Sequence, residues 1–285
     1  MKQHTSKKIE ALLYAFVVLL LTGCASAVSS VDKIQILDEI DYDAIYSLTE
    51  ADMDTGAQNA KEIIFEKGQA VFVIDKPGDY LLKGKAEGQV QIDVQDEIVH
   101  LILDNVELQA PNGPAIYVKS AAKVVITIPE ESSSILMDSP YYDSFADAKA
   151  CVYSVGDLTI NGGGSLQVYG YYEDAIRTKD VLKVLDVDLA VQAKGEGLRG
   201  NDGVALLTRV LDIQCEGTGI FTEKEDKENR GFVDLAAGTV KIIAGNYGIE
   251  AAENLYIHDC KADIYGIVQN LTCQGEQYVE EGCLE

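Results

Sequence analysis

The chain has 285 residues, with 47 Asp and Glu against 23 Lys and Arg, and a formal charge of −24. That charge excludes ordinary electrostatic binding to nucleic acid or to an anionic membrane surface. The length suits one solenoid-sized domain carrying a leader and a tether.

The leader comes first. Lys2, Lys7 and Lys8 precede an apolar run over residues 11–21, followed by Leu21-Thr22-Gly23-Cys24. A basic start and a short apolar core define a secretory signal over residues 1–23, too short to span a bilayer comfortably. Leu-Thr-Gly-Cys resembles the lipobox of bacterial lipoproteins. The resemblance implies that Cys24 is lipidated and tethers the protein to the outer face of the bacterial cell membrane. Loss of the leader removes three Lys and one Glu and takes the formal charge to −26. Residues 24–60 mix Asp and Glu with Ile and Leu without a period and read as a spacer from the membrane.

Strand patterning occupies residues 61–285. Pro77-Gly78-Asp79 marks a turn. Tyr80 to Gly84, Val90/Ile92/Val94, Val99/Leu101/Leu103 and Val124/Ile126/Ile128 are the apolar positions of the first coils, with a corner at Asp104-Asn105. Residues 129–148, rich in Ser, Tyr and Asp, read as a loop or lid that interrupts the stack. Asn161-Gly162-Gly163-Gly164 is a tight corner that needs positive φ. From Asp157 onward a corner recurs: Asp174-Ala175-Ile176, Glu196-Gly197-Leu198, Thr218-Gly219-Ile220, Tyr247-Gly248-Ile249 and Tyr265-Gly266-Ile267. Their aliphatic residues lie 22, 22, 29 and 18 apart. The 29 is one 22-residue step plus the seven-residue polar insert at 224–230. The pairs Leu182/Val184, Val204/Leu206, Val233/Leu235 and Leu255/Ile257 follow at the same steps. A fixed period with strand-type alternation is the signature of a solenoid, in which each coil buries its apolar face only against its neighbours. Leucine-rich repeats have a similar length, but their Leu frame and Asn ladder are missing. The reading is an all-β, single-stranded, right-handed parallel β-helix, its open end capped by the acidic tail 276–285.

Five cysteines follow Cys24, an odd number that argues against a complete disulfide framework. Cys151, Cys215 and Cys273 fall in strand-like runs and read as buried thiols. A bridge among Cys260, Cys273 and Cys283 stays open.

The segments Tyr80-Leu81-Leu82-Lys83-Gly84, Val99-His100-Leu101-Ile102-Leu103-Asp104-Asn105-Val106 and Tyr153-Ser154-Val155-Gly156-Asp157-Leu158-Thr159-Ile160, with residues 173–182 and 196–202, resemble the pectate-lyase-like carbohydrate-binding β-helix family of bacterial surface proteins. The resemblance spans residues 80–267. It implies the pectate lyase fold, binding of plant cell-wall polysaccharides including acidic ones, and bound calcium; lyase activity is not an established property of the family. The acid of the family's Asp-Gly-Ile corner is kept at Asp174 and Glu196 and replaced by Thr218 and Tyr247 in later coils.

A 22-residue period turns sequence neighbours by one coil into spatial neighbours about 4.8 Å apart. Asp174 then stands beside Glu196, and Asp180 beside Asp202. Such like charges repel by on the order of 1–3 kcal/mol at intermediate dielectric, and a calcium ion, which takes oxygen ligands, relieves that. An ion-pair ladder with Lys179 and Lys224 explains the same residues. Arg177, Arg199 and Phe221 form a second column. With Lys179 they make a strip able to grip a uronate, two Arg forks for carboxylates and a ring for a sugar face. Pairing of both Arg residues with Glu173 and Glu196 is the plainer alternative. Tyr153, Tyr169, Tyr171, Tyr172 and Tyr247 add aromatic surface. The absence of Trp weakens a platform for crystalline cellulose but not for single glycan chains.

The expected function is a surface-anchored, non-catalytic, monomeric polysaccharide-binding protein, possible calcium dependence included, for plant cell-wall or uronate-containing glycans. A lyase of the same fold, with Arg177, Lys179 or Arg199 as base, or a hydrolase using paired acids of the Asp174 and Asp180 columns, is the alternative, and a protein-binding adhesin the third. His100 and His258 fall in strand runs and read as packing residues.

Overall fold

The computed structural model describes residues 45–56, 59–65, 71–143, 147–223, 230–236 and 238–285. The leader, Cys24 and Lys224 lie outside them. Among the described residues the only helix is one turn, Glu50–Met53, and none is long and apolar enough to cross a membrane.

A full coil contributes three strands, so the solenoid has three faces. One coil runs Asp174–Thr178, Val181–Leu185, Asp188–Ala193. The first face is a nine-stranded parallel sheet from Val71–Ile74 to Gln269–Cys273. The second stacks Lys123–Thr127, Asp157–Asn161, Val181–Leu185, Gly203–Leu207, Phe232–Leu235, Leu255–Ile257 and Gln277–Val279. The third stacks Ser133–Met137, Ser165–Gly170, Asp188–Ala193, Val210–Cys215, Thr239–Ala244 and Lys261–Gly266. The second and third are joined through the long strand Ile98–Gln109, which pairs with Lys123–Thr127 by its first half and with Ser133–Met137 by its last residues. Asn105, at φ 55°, is the bulged residue where that strand turns the corner, because Lys83 pairs with Asp104 but Gly84 with Val106.

The interior is built of vertical apolar columns. On the second face Leu182, Val204, Val233 and Leu255 are in register, as are Val184, Leu206, Leu235 and Ile257. On the first face Ile176, Leu198, Ile220 and Ile249 are in register. All are fully buried. Burial of each such side chain is worth about 1.5–3 kcal/mol, and only the stack supplies it.

Three expectations change. The partner of Ile249 is Leu271, a step of 22, and not Ile267. Tyr265-Gly266-Ile267 closes the third face instead, with Gly266 paired to Ala244. The same Gly-aliphatic word serves two different corners. Part of the supposed interruption 129–148 is regular, since Ser133–Met137 pairs with Ser165 to Tyr169; its Ser run disguises a strand. Finally, part of the spacer is no spacer. Thr49 caps the turn Glu50–Met53, whose Asp52 is wholly buried on the outer side of the second face. There Asp52 pairs with Lys123 at 2.7 Å and Lys183 at 2.8 Å and accepts from Thr159 Oγ1 at 2.5 Å. Asn161 Nδ2 donates to the carbonyls of Asp52 and Asp54. Tyr46 stacks on Phe232 at 5.5 Å and donates to Asp234. Residues 45–54 are thus a strap along that face.

The Asn161-Gly162-Gly163-Gly164 corner does use positive φ, at Gly162, where a Cβ would lie 2.2 Å from the Ile128 carbonyl oxygen. The tail adds the strand Gln277–Val279 below Leu255–Ile257 and bridges Ala262 to Leu284.

Candidate functional site

The outward row of the first face is set by strand register. Arg177 pairs with Arg199, and Arg199 with Phe221, one residue per coil. The row continues to Tyr153 and Tyr117 on one side and to Glu250 on the other. The inward neighbours Ile176, Leu198 and Ile220 hold these strands in the core, so side-chain alternation drives the Arg residues and Phe221 outward.

The guanidinium of Arg199 lies over the Phe221 ring, 4.8 Å from its centre. It also donates to Glu223 at 2.6 Å and stands 3.9 Å from Glu196. Arg177 stands 3.7 Å from Asp174. Both guanidiniums remain partly accessible, at 18% and 14% of their side-chain surface. The Nε of each is buried without a hydrogen-bond partner among the described residues. The expected Arg199–Glu196 pairing is present but loose, while Glu173 is taken by Lys149 at 3.0 Å.

Asp174 and Glu196 do come together. The Glu196 N–H donates to Asp174 Oδ1 at 2.9 Å, and the two carboxyls are in hydrogen-bonding contact. Burial, and then the acid beside it, push Asp174 up to about 8. Glu196 is lowered: although burial opposes it, the Asp174 hydrogen bond and the Arg199 charge prevail. Two facing carboxyls at one corner thus keep a proton between them.

Asp180 and Asp202 join a different place, beyond the other end of the strand. The Asp202 N–H donates to the Asp180 carbonyl at 3.2 Å. The Asp202 carboxylate meets Arg230 at 3.2 Å. Asp180 and Arg230, with Lys183 and Phe232, line a cavity of about 490 Å³ beside the strap. The four acids offered as calcium ligands are therefore two separate pairs, and among the described residues no group of three or more acidic, His or Cys side chains is arranged to hold a metal. Calcium takes six to eight oxygens, so at either pair water or a ligand carboxylate would have to complete the shell. Lys179 is exposed and close to Tyr117.

The tyrosines separate by face. Tyr153 is 2% exposed, packed under Tyr117 and Ala148, and offers no platform. Tyr172 stacks on Tyr142 at 4.1 Å. Tyr142 in turn donates to Asp138, which is buried and pushed up to about 6. Tyr169 and Tyr171 stack with each other on the third face. Sequence reasoning missed the roles of Tyr117 and Glu250; both were readable as continuations of the Arg column once the coil limits were known. Of the two strand-run histidines, His100 packs against Thr127, but His258 is bound at 2.8 Å to Asp234, which also holds the strap.

The site is thus a charged and aromatic row along the first face of a three-faced parallel β-helix. The comparisons with known proteins give the family. A family model described as carbohydrate-binding domain-containing protein matches residues 67–280, and the chain belongs to that family. It is 34% identical over 220 residues to a carbohydrate-binding domain-containing protein of Acetivibrio thermocellus, covering 74% of this chain and 76% of that one. It is similar to the solved structure of a polysaccharide lyase-like protein from C. thermocellum, a gadolinium derivative. There the TM-score is 0.73 at 30% identity, over 75% of this chain and 89% of that chain.

Proposed function

We propose that the protein is a non-catalytic binder of uronate-bearing polysaccharide of the plant cell-wall kind, gripped along Arg177, Arg199 and Phe221. The register that puts two Arg forks one strand apart, with a ring beside them, carries this reading. Forks of this geometry suit carboxylates, and an aromatic face suits a sugar ring. Lys179, exposed beyond the strand end, extends the cationic margin.

Two observations favour binding over catalysis. Asp174 is 1% exposed and touches Glu196, whereas glycosidase carboxyls stand roughly 5–9.5 Å apart around the scissile bond. The two cations of the row are guanidiniums, which donate and do not accept, and each already stands beside a carboxyl, Arg177 3.7 Å from Asp174 and Arg199 2.6 Å from Glu223. The likeness to a protein described as polysaccharide lyase-like supports lyase activity as the second reading. Calcium enters the proposal through Asp174 and Glu196 alone, where the ion would displace the shared proton. Anchoring at Cys24 is proposed from the lipobox, and Cys24→Ala is expected to release the protein from membranes; retention would reject the anchor.

Titration calorimetry with oligogalacturonates, with calcium and with chelator, tests the site. Saturable binding without unsaturated product supports it. Accumulation of unsaturated product at alkaline pH with calcium favours the lyase reading. Absence of both, with binding only to proteins, leaves an adhesin.

A further inference from the structure

The carboxyl-terminal tail carries one thiol, Cys283, back to a second, Cys260, in the last full coil. After the strand Gln277–Val279 the chain turns at Gly282, φ 88°. The Ala262 N–H then donates to the Cys283 carbonyl at 2.7 Å, and the Glu285 N–H to the Ala262 carbonyl at 3.0 Å. Cys260 lies two residues before Ala262, so this backbone clasp brings residue 283 to residue 260. Both side chains enter the same apolar core, at 9% and 3% exposure. Cys283 is the neighbouring thiol that Cys260 feels, and Cys283 Sγ stands 3.7 Å from Glu280 Oε2. The other thiols are engaged elsewhere: Cys215 and Cys273 donate to the carbonyls of Gly217 and Gly275, and Cys151 is wholly buried in a middle coil. All five described cysteines are free thiols in this structure.

We propose that Cys260 and Cys283 are a disulfide-forming pair that locks the tail over the last coil. Closure occurs by exchange with a small-molecule disulfide. The thiolate of Cys260 attacks one sulfur of that disulfide, forms a mixed disulfide and expels the first small thiolate. The thiolate of Cys283 then attacks Cys260 Sγ, forms the protein S–S bond and expels the second. The two protein protons end on the two small thiols, so the protein loses two electrons and two protons and the oxidant gains them. The bond would close a loop of 24 residues, which disfavours the unfolded chain. It would also fasten the segment that covers the last strand edges, otherwise held to Ala262 by two backbone hydrogen bonds. Burial and the neighbouring Cys283 and Glu280 raise the Cys260 thiol to about 12. Because only thiolate attacks, exchange in the folded protein is slow.

The full chain, purified without reductant, is incubated with oxidised glutathione, alkylated under denaturing conditions, digested and mapped by mass spectrometry. The expected result is one peptide pair joining Cys260 to Cys283, with Cys151, Cys215 and Cys273 alkylated. Dithiothreitol should lower the Tm of the oxidised protein by about 5–10 °C, and Cys283→Ser should abolish that dependence. Full alkylation of both thiols after oxidation, or a link to Cys273 instead, overturns the proposal. The map of the unsubstituted chain decides the matter even where the variant does not fold.

Discussion

Asp52 and Asp174 are both buried against the outside of the β-helix, one on the second face and one at the margin of the first, and they are pushed in opposite directions. Asp52 lies between Lys123 and Lys183 and accepts from Thr159, and although burial alone would raise it, these contacts hold it well below the usual carboxylate range. Asp174 faces another acid, and burial raises it to about 8. The coils beneath are the same. The difference lies in what covers them. Two lysines on the second face are satisfied by a strap from elsewhere in the chain. On the first face no strap covers the arginines: Arg177 stands 3.7 Å from Asp174, and Arg199 is held by Glu223 at 2.6 Å. One flank is covered by the strap, and the other is the one proposed to take a ligand carboxylate.

The largest expected effect breaks the closed flank. Asp52→Ala leaves two buried lysines without their counter-ion, a loss of about 3–5 kcal/mol, or roughly 10 °C in Tm for a domain of this size. The pH dependence has a definite sign. A depressed carboxyl contributes stability above its unfolded pKa near 4 and loses it as pH falls toward its folded value. The wild-type urea midpoint should therefore fall below about pH 4 more steeply than that of the variant. Equal slopes would mean that the strap is held by packing alone.

The open flank should respond in binding instead of stability. Hydrogen bonds to charged groups are worth about 1.5–3 kcal/mol each, so Arg177→Ala with Arg199→Ala should weaken oligogalacturonate binding roughly 100-fold while moving Tm little. Arg199→Lys keeps charge but loses the fork and the stack on Phe221, for about a tenfold loss. Phe221→Ala should cost about fivefold, from one exposed cation–π contact and the sugar face. An unchanged Kd in the double variant would move the site off this face.

How far these flanks were legible follows from their physics. The 22-residue step is enforced by core columns such as Leu182/Val204/Val233/Leu255, so any residue tied to that step, Arg177 and Arg199 included, could be placed from sequence. The 29-residue step was equally readable, since Ile220 and Ile249 pair across the insert. The strap was not: Tyr46 and Asp52 obey no period, and their partners are 71 to 188 positions away. Tyr153 looked exposed by column, but the loop carrying Ala148 packs over it, and no spacing encodes that. Asp180 and Asp202 satisfied the column rule yet lie beyond the strand end, where Arg230 enters from the insert.

The smallest effect concerns Asp174 itself and separates a proton from a cation as the thing that relieves the open flank's acids. The folded protein holds a proton at Asp174 up to about pH 8, while the unfolded chain releases it near pH 4. Between those values the folded state binds more protons, so this group's contribution to stability falls as pH rises. Glu196, being lowered, acts in the opposite sense and only below its ordinary pKa, so the two windows do not overlap. Asp174→Asn keeps an acceptor for the Glu196 N–H and removes the titration. The variant should lie within about 1 kcal/mol of wild type at pH 5 and should lose less stability than wild type between pH 5 and pH 8. Millimolar calcium should raise the wild-type Tm more at pH 8 than at pH 6, because the ion competes with the shared proton, and should leave Asp174→Asn nearly unmoved. A calcium response equal in both proteins would place the ion elsewhere and leave the pair as a purely protonic device.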